Sequence, residues 1–241
     1  MTDPLYRDDP YLREAEATVA AQIETPKGVG VTLDRTVFYP TGGGQPGDTG
    51  ALLWEGGEMT VATAIKGEGT TVVHLATEGA TLPAPGTRVL ARLDWQTRHA
   101  HMRIHTALHL LSVVVPLPVT GGQIGPAKGR LDFNMPEAPE DKAALEEALN
   151  ALIAADHPVT TEWISDAELA ARPEMVKTMT VKPPMGAGRV RLVRIGSGTP
   201  PVDLQPCGGT HVATTAEIGR VRLGKIEKKG KQNRRVSIAL D

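Results

Sequence analysis

Over roughly the first ninety residues, apolar and polar side chains alternate in short runs, the period of strands with one buried face. Runs at 31–39, 59–65, 71–75 and 88–93 read as strands, and turn clusters separate them: Pro40-Thr41-Gly42-Gly43-Gly44, Glu55-Gly56-Gly57 and Lys66-Gly67-Glu68-Gly69. Many short strands at this spacing predict a small β-barrel, with a seam at Pro83-Ala84-Pro85-Gly86 before its last strand. After Asp94 the period becomes helical, with Asp94 as N-cap and Pro116 as stop. A second helix is expected over 140–155, opened by Pro139, its apolar stripe formed by Ala144, Leu145, Ala148, Leu149, Leu152 and Ile153. Ser165-Asp166-Ala167-Glu168 has the spacing of a capping box and predicts a short third helix. Strands are expected at 189–195, 220–223 and 234–240. The fold class read from this pattern is α+β: a small N-terminal β-barrel over 1–92, then an α+β domain over 93–241.

Composition narrows the function classes. The 241 residues include two Phe, three Tyr and three Trp, so aromatic platforms for stacking single-stranded bases are not expected. No run approaches the roughly 18 apolar residues of a membrane span, and no charged-then-apolar leader opens the chain. One cysteine excludes an internal disulfide, and the reading is a soluble, cytoplasmic protein. A net charge of −2 hides an asymmetry: Arg220, Arg222, Lys225, Lys228, Lys229, Lys231, Arg234 and Arg235 are opposed within their run by Glu227 alone, whereas the first sixteen residues are acidic. Such a run is either a solvated face or the footprint of a polyanion.

The densest chemistry lies in two close pairs. His105 and His109 share one helix face at i, i+4, and Cys207-Gly208-Gly209-Thr210-His211 places a thiol near an imidazole across a glycine turn. Each pair alone is weak, since helical histidines often only pack and a lone cysteine often acts as a small apolar residue. Together they form the donor set of a tetrahedral zinc site. A zinc protease needs Glu directly after the first His, and Thr106 stands there, which argues against peptidase chemistry. His99 and His101 are read as surface or RNA-facing residues, with a place behind the metal ligands as the other reading of His101, and His74 and His157 as structural. The segment from Phe38 to Gly50 holds Gly42-Gly43-Gly44-Gln45-Pro46 but no Gly-Lys-Ser/Thr, so it is not a phosphate cradle. It is either a tight hairpin or a loop that presents Gln45 to a ligand.

These residues together resemble the AlaX family of free-standing alanyl-tRNA editing proteins. The resemblance rests on His105-Thr106-Ala107-Leu108-His109-Leu110-Leu111, Cys207-Gly208-Gly209-Thr210-His211 and Gly43-Gly44-Gln45-Pro46-Gly47-Asp48. Asp94-Trp95, Arg98, Met102-Arg103 and Ile218-Gly219 extend it. It implies a zinc-dependent deacylase that removes serine from mischarged tRNA(Ala), with no ATP chemistry and no membrane partner. The implied zinc ligands are His105, His109, Cys207 and His211. Thr106, Gln45 and Gln123 are the implied contacts to the serine hydroxyl, and Gly43, Gly44, Arg98, Lys228, Lys229 and Lys231 the implied contacts to the rest of the substrate. Four protein ligands close the coordination sphere. The ion then expands to five-coordinate, or one histidine stands outside, or the ion grips the substrate amino group. Each histidine also calls for a partner on its other ring nitrogen. The competing readings are a non-catalytic zinc-stabilised tRNA-binding module and a zinc hydrolase of small-molecule esters.

Overall fold

A computed structural model describes residues 1–139, 141–179 and 188–241. In chain order the strands and helices are β1 (Asp3–Pro4), β2 (Glu14–Thr25), β3 (Gly28–Leu33), β4 (Arg35–Thr36), β5 (Gly50–Trp54), β6 (Gly57–Lys66), β7 (Val72–Ala76), β8 (Arg88–Leu93), α1 (Trp95–Val114), β9 (Val119–Ile124), β10 (Lys128–Asn134), α2 (Lys142–Ala154), β11 (Val159–Ser165), α3 (Asp166–Ala170), β12 (Arg189–Ile195), β13 (Asp203–Pro206), β14 (Val221–Lys228) and β15 (Asn233–Leu240). Two compact units emerge, Met1–His99 and Ala100–Asp241, so the division falls inside α1.

The first unit is a closed barrel of order β2-β3-β7-β6-β5-β8, every neighbouring pair antiparallel. Alternation decides which side chains enter it: Val89, Ala91 and Leu93 of β8 are buried while their neighbours are not. They meet Val19, Val31, Leu33, Leu52, Met59, Val61 and Phe38 in one apolar core. The expected strand over 31–39 breaks after Leu33 and resumes as β4, with Phe38 and Tyr39 buried beyond it. The twelve-residue β2 lay unpredicted because its alanines and acids, Glu-Ala-Glu-Ala-Thr, give little hydropathy contrast.

The second unit joins α1 and α2 to two antiparallel sheets, β14-β15-β10-β9 and β11-β12-β13. Strands β9 and β10 were missed because β9 carries Gly121 and Gly122 beside polar Thr120 and Gln123, and β10 carries Gly129 among charges. Gly129 has a packing reason: a Cβ there would meet Ile104 Cγ2 at 2.5 Å and Leu108 Cδ1 at 3.1 Å, so glycine lets α1 lie close on the sheet. Asp94 caps α1 as expected, accepting from Thr97 N at 3.1 Å. Asp141 caps α2 through Ala144 N, so that helix starts at Lys142, and the expected first residue, Glu140, lies outside the described residues. The capping box of Ser165 and Glu168 opens α3. The basic run lies on the β14–β15 hairpin, whose strands correspond to those expected at 220–223 and 234–240. No helix among the described residues is long and apolar enough to cross a membrane.

Candidate metal centre

Helix α1 carries His105 and His109 one turn apart, with Met102, Ile104, Ala107 and Leu108 buried around them. Strand β13 delivers Cys207 to the helix, and the following glycines turn the chain so that His211 returns to the same point. Neighbouring strand β12 fixes that turn. Cys207 N donates to Arg191 O at 3.1 Å, and Arg191 Nη1 donates to the carbonyls of Cys207 (2.9 Å) and Gly209 (3.0 Å). Arg191 is a support that sequence reasoning missed, because its partners lie sixteen and eighteen residues away and form only when β12 and β13 pair.

The four donor atoms of His105, His109, Cys207 and His211 all lie within 4.8 Å of one another, a group that could hold a metal ion. Cys207 Sγ is 3.4 Å from His105 Nε2 and 3.3 Å from His211 Nε2. The histidines are 4–7% exposed. Thus both ring nitrogens nearest the sulfur are Nε2, and the Nδ1 atoms face elsewhere. His109 Nδ1 donates to Asp203 Oδ2 at 3.0 Å. His211 Nδ1 lies 3.1 Å from the Thr106 hydroxyl. These are the outer partners that ion-binding histidines require.

Electrostatics follow from crowding three imidazoles, a thiol and a carboxylate out of water. Burial raises the Cys207 thiol, but the charges of His105 and His211 and a hydrogen bond from His105 outweigh it and hold the pKa well below the usual thiol range. Burial and the His105 charge push His211 well down. Burial lowers His109 too, yet its bonds to Asp203 and Cys207 more than reverse this and carry it to about 9. Asp203 loses hydration, but His109 and Lys177 bring it down to about 2. The cluster therefore favours a thiolate, the form that binds metals.

Known proteins resemble this chain over its whole length. The description "Threonyl and Alanyl tRNA synthetase second additional domain" matches residues 190–237, and "tRNA synthetases class II (A)" matches 11–97. The chain is 37% identical to the alanyl-tRNA editing protein AlaX-M of Methanosarcina mazei, covering 100% of this chain and 97% of that protein. The chain belongs to the AlaX family. It is also 34% identical to AlaX-L of Pyrococcus horikoshii over 96% of this chain and 56% of that protein. Against an alanine–tRNA ligase of Pyrobaculum arsenaticum it is 35% identical, spanning 94% of this chain but 25% of the ligase.

Two of the expected substrate contacts, Thr106 and Arg98, have their polar groups engaged inside this AlaX chain. Thr106 is fully buried; its hydroxyl lies 3.0 Å from Met102 O, faces His211 and accepts from Val212 N at 3.3 Å, so it has no capacity left for a serine hydroxyl. Arg98 is also fully buried: it pairs with Asp48 and donates to the carbonyls of Pro10 (2.9 Å) and Val37 (2.6 Å), which makes it a clamp within the barrel unit rather than a substrate contact. The glycine-rich loop is a tight hairpin in which Gly42 and Gln45 exchange backbone bonds, while Gly43 and Gly44 take φ of 57° and 85°. Gln45 is buried at its base. Gln123 is exposed on β9 and accepts from Arg130 Nε at 3.2 Å. His101 is 2% exposed, not on the surface, whereas His99 stacks on Trp95 with ring centroids 5.4 Å apart. His74 is structural as expected, held between Thr36 and Val31. Lys228, Lys229 and Lys231 are exposed near the hairpin turn, Lys229 pairing with Glu227 at 2.8 Å.

Proposed function

We propose that this AlaX chain is a trans-editing hydrolase, which cleaves the ester joining a wrongly attached serine to tRNA(Ala) with zinc as its ion. The observation that carries the reading is the convergence of one thiol and three imidazoles within 4.8 Å, in a chain whose full-length relatives are named alanyl-tRNA editing proteins. That nitrogen-and-sulfur donor set suits a borderline-soft divalent ion such as zinc. When bound, the ion would supply positive charge that orients and polarises the aminoacyl ester.

The protein's own residues do the rest. His105, His109, Cys207 and His211 would hold the ion, and Asp203, Thr106 and Arg191 keep those four in place. A separate site is needed because a pocket built for alanine rejects an analogue with one added hydroxyl only about 100-fold. Gln123, exposed beside Arg130, and Gln45 remain the proposed contacts to the serine hydroxyl, and Gly43 and Gly44 remain proposed contacts to the rest of the substrate. Lys228, Lys229 and Lys231 are the proposed contacts to the tRNA phosphates.

The test is deacylation of Ser-tRNA(Ala) by wild type beside Cys207→Ala, with zinc content measured in parallel. The expected result is loss of both activity and zinc in a variant that keeps its circular dichroism spectrum. An inactive wild type that still binds tRNA would replace the enzyme with a zinc-stabilised binding module. Comparable hydrolysis of free small esters would point to a small-molecule hydrolase.

A further inference from the structure

Beneath His109 lies a buried polar network that the donor set does not itself require. Asp203, 3% exposed, sits at the start of the strand that leads into Cys207. Its Oδ2 accepts from His109 Nδ1 at 3.0 Å and from Gln205 Nε2 at 2.7 Å, and its Oδ1 accepts from Lys177 Nζ at 2.6 Å. Lys177 also reaches the Ser112 hydroxyl at 3.3 Å, and that hydroxyl donates to His109 O at 2.7 Å. The network thus grips His109 by its ring and by its backbone.

Donor and acceptor capacity fixes the direction of every bond here. An ionised carboxylate accepts only, and an ammonium donates only. His109 must therefore keep a proton on Nδ1, which leaves Nε2 as the atom that can face the Cys207 sulfur and an ion. Lys177 in turn occupies the second carboxylate oxygen, so the carboxylate cannot rotate away from His109 without losing a charge-assisted bond. We infer that Asp203 and Lys177 are positioning residues of the metal centre: Asp203 holds His109 with Nε2 free for the ion, and Lys177 locks the carboxylate in that orientation. The inference rests on the zinc reading above.

Asp203→Asn separates this role from mere filling of space. The amide has one acceptor and one donor atom, so its NH₂ must meet either Lys177 or the His109 and Gln205 donors. Metal-stripped full-length protein is titrated with Zn²⁺ and with Co²⁺ against a chelator, and the visible spectrum of the cobalt form is recorded. Asp203→Asn should bind about 10- to 100-fold more weakly, the range for losing an outer partner of a ligating histidine, with an altered cobalt spectrum. Adding Lys177→Met removes the donor conflict, lets the amide oxygen turn to His109, and should recover part of that loss.

Wild-type affinity and spectrum in Asp203→Asn would overturn the role of Asp203. A double variant no tighter than the single one would overturn that of Lys177. If Asp203→Asn fails to fold by circular dichroism, Lys177→Met alone carries the test, and unchanged affinity and spectrum overturn the inference. Wild type that takes up neither ion would instead sink the zinc reading, and this is decided before any variant is made.

Discussion

Thr106→Val removes one hydroxyl from a fully buried position and keeps the shape of the side chain. When His211 Nε2 holds an ion, Nδ1 must carry the ring proton, and Thr106 Oγ1 at 3.1 Å is the acceptor that faces it. The hydroxyl's own proton then goes to Met102 O at 3.0 Å. Valine leaves the His211 donor buried without this acceptor, a cost of about 1–3 kcal/mol. At about 1.4 kcal/mol per tenfold, that is roughly a 5- to 150-fold loss of zinc affinity, which overlaps the roughly 10- to 100-fold known for outer partners. The serine-over-alanine preference in deacylation should survive, because Thr106 has no capacity left for substrate. Zinc competition titrations and paired assays on Ser-tRNA(Ala) and Ala-tRNA(Ala) measure both quantities. A Thr106→Val protein that binds zinc like wild type but no longer prefers serine would refute the reasoning and return Thr106 to the substrate.

Other perturbations test the barrel clamp, the buried histidine and the basic hairpin. Arg98→Met leaves the Asp48 carboxylate buried without its guanidinium and should cost about 3–5 kcal/mol in urea unfolding; the Asp48→Asn, Arg98→Met double variant should be less destabilised, and an additive cycle would deny the coupling. His74 is buried with Nδ1 donating to Val31 O and Nε2 accepting from Thr36, and burial lowers its pKa to about 4 against 6.5 when exposed. Between pH 6.5 and 4 the unfolded chain therefore takes the proton first, so stability falls as pH falls, by up to about 3 kcal/mol in all. His74→Gln should flatten that limb of the stability–pH curve, and an unchanged slope would assign the acid loss to other groups. Replacing Lys228, Lys229 and Lys231 with Ala should raise KM for charged tRNA and reduce the slope of log affinity against log salt by about 0.9 for each phosphate no longer neutralised; unaltered slope and KM would make the hairpin tip solvated surface.

What the sequence makes legible here are the features written in neighbouring positions. Helix α1 appears in its period and its Asp94 cap, α3 in its capping box, and the donor pairs in a spacing of four, because each depends on residues within one turn. Strands β2, β9 and β10 escaped because alanine, glycine and charge blur the period of two, and what makes Gly129 necessary is the approach of Ile104 and Leu108 across the unit. The supports of the donor set escaped for the same physical reason. Asp203 lies 94 positions from His109, and Thr106 lies 105 from His211, so only the packed fold brings acceptor to ring. Thr106 shows how misleading adjacency is. It directly follows His105, yet on a helix consecutive side chains diverge by about 100°, and its hydroxyl serves the histidine of the other pair. The family resemblance suggested a substrate contact; the hydrogen-bonding capacity of one buried oxygen assigns it to the donor cluster.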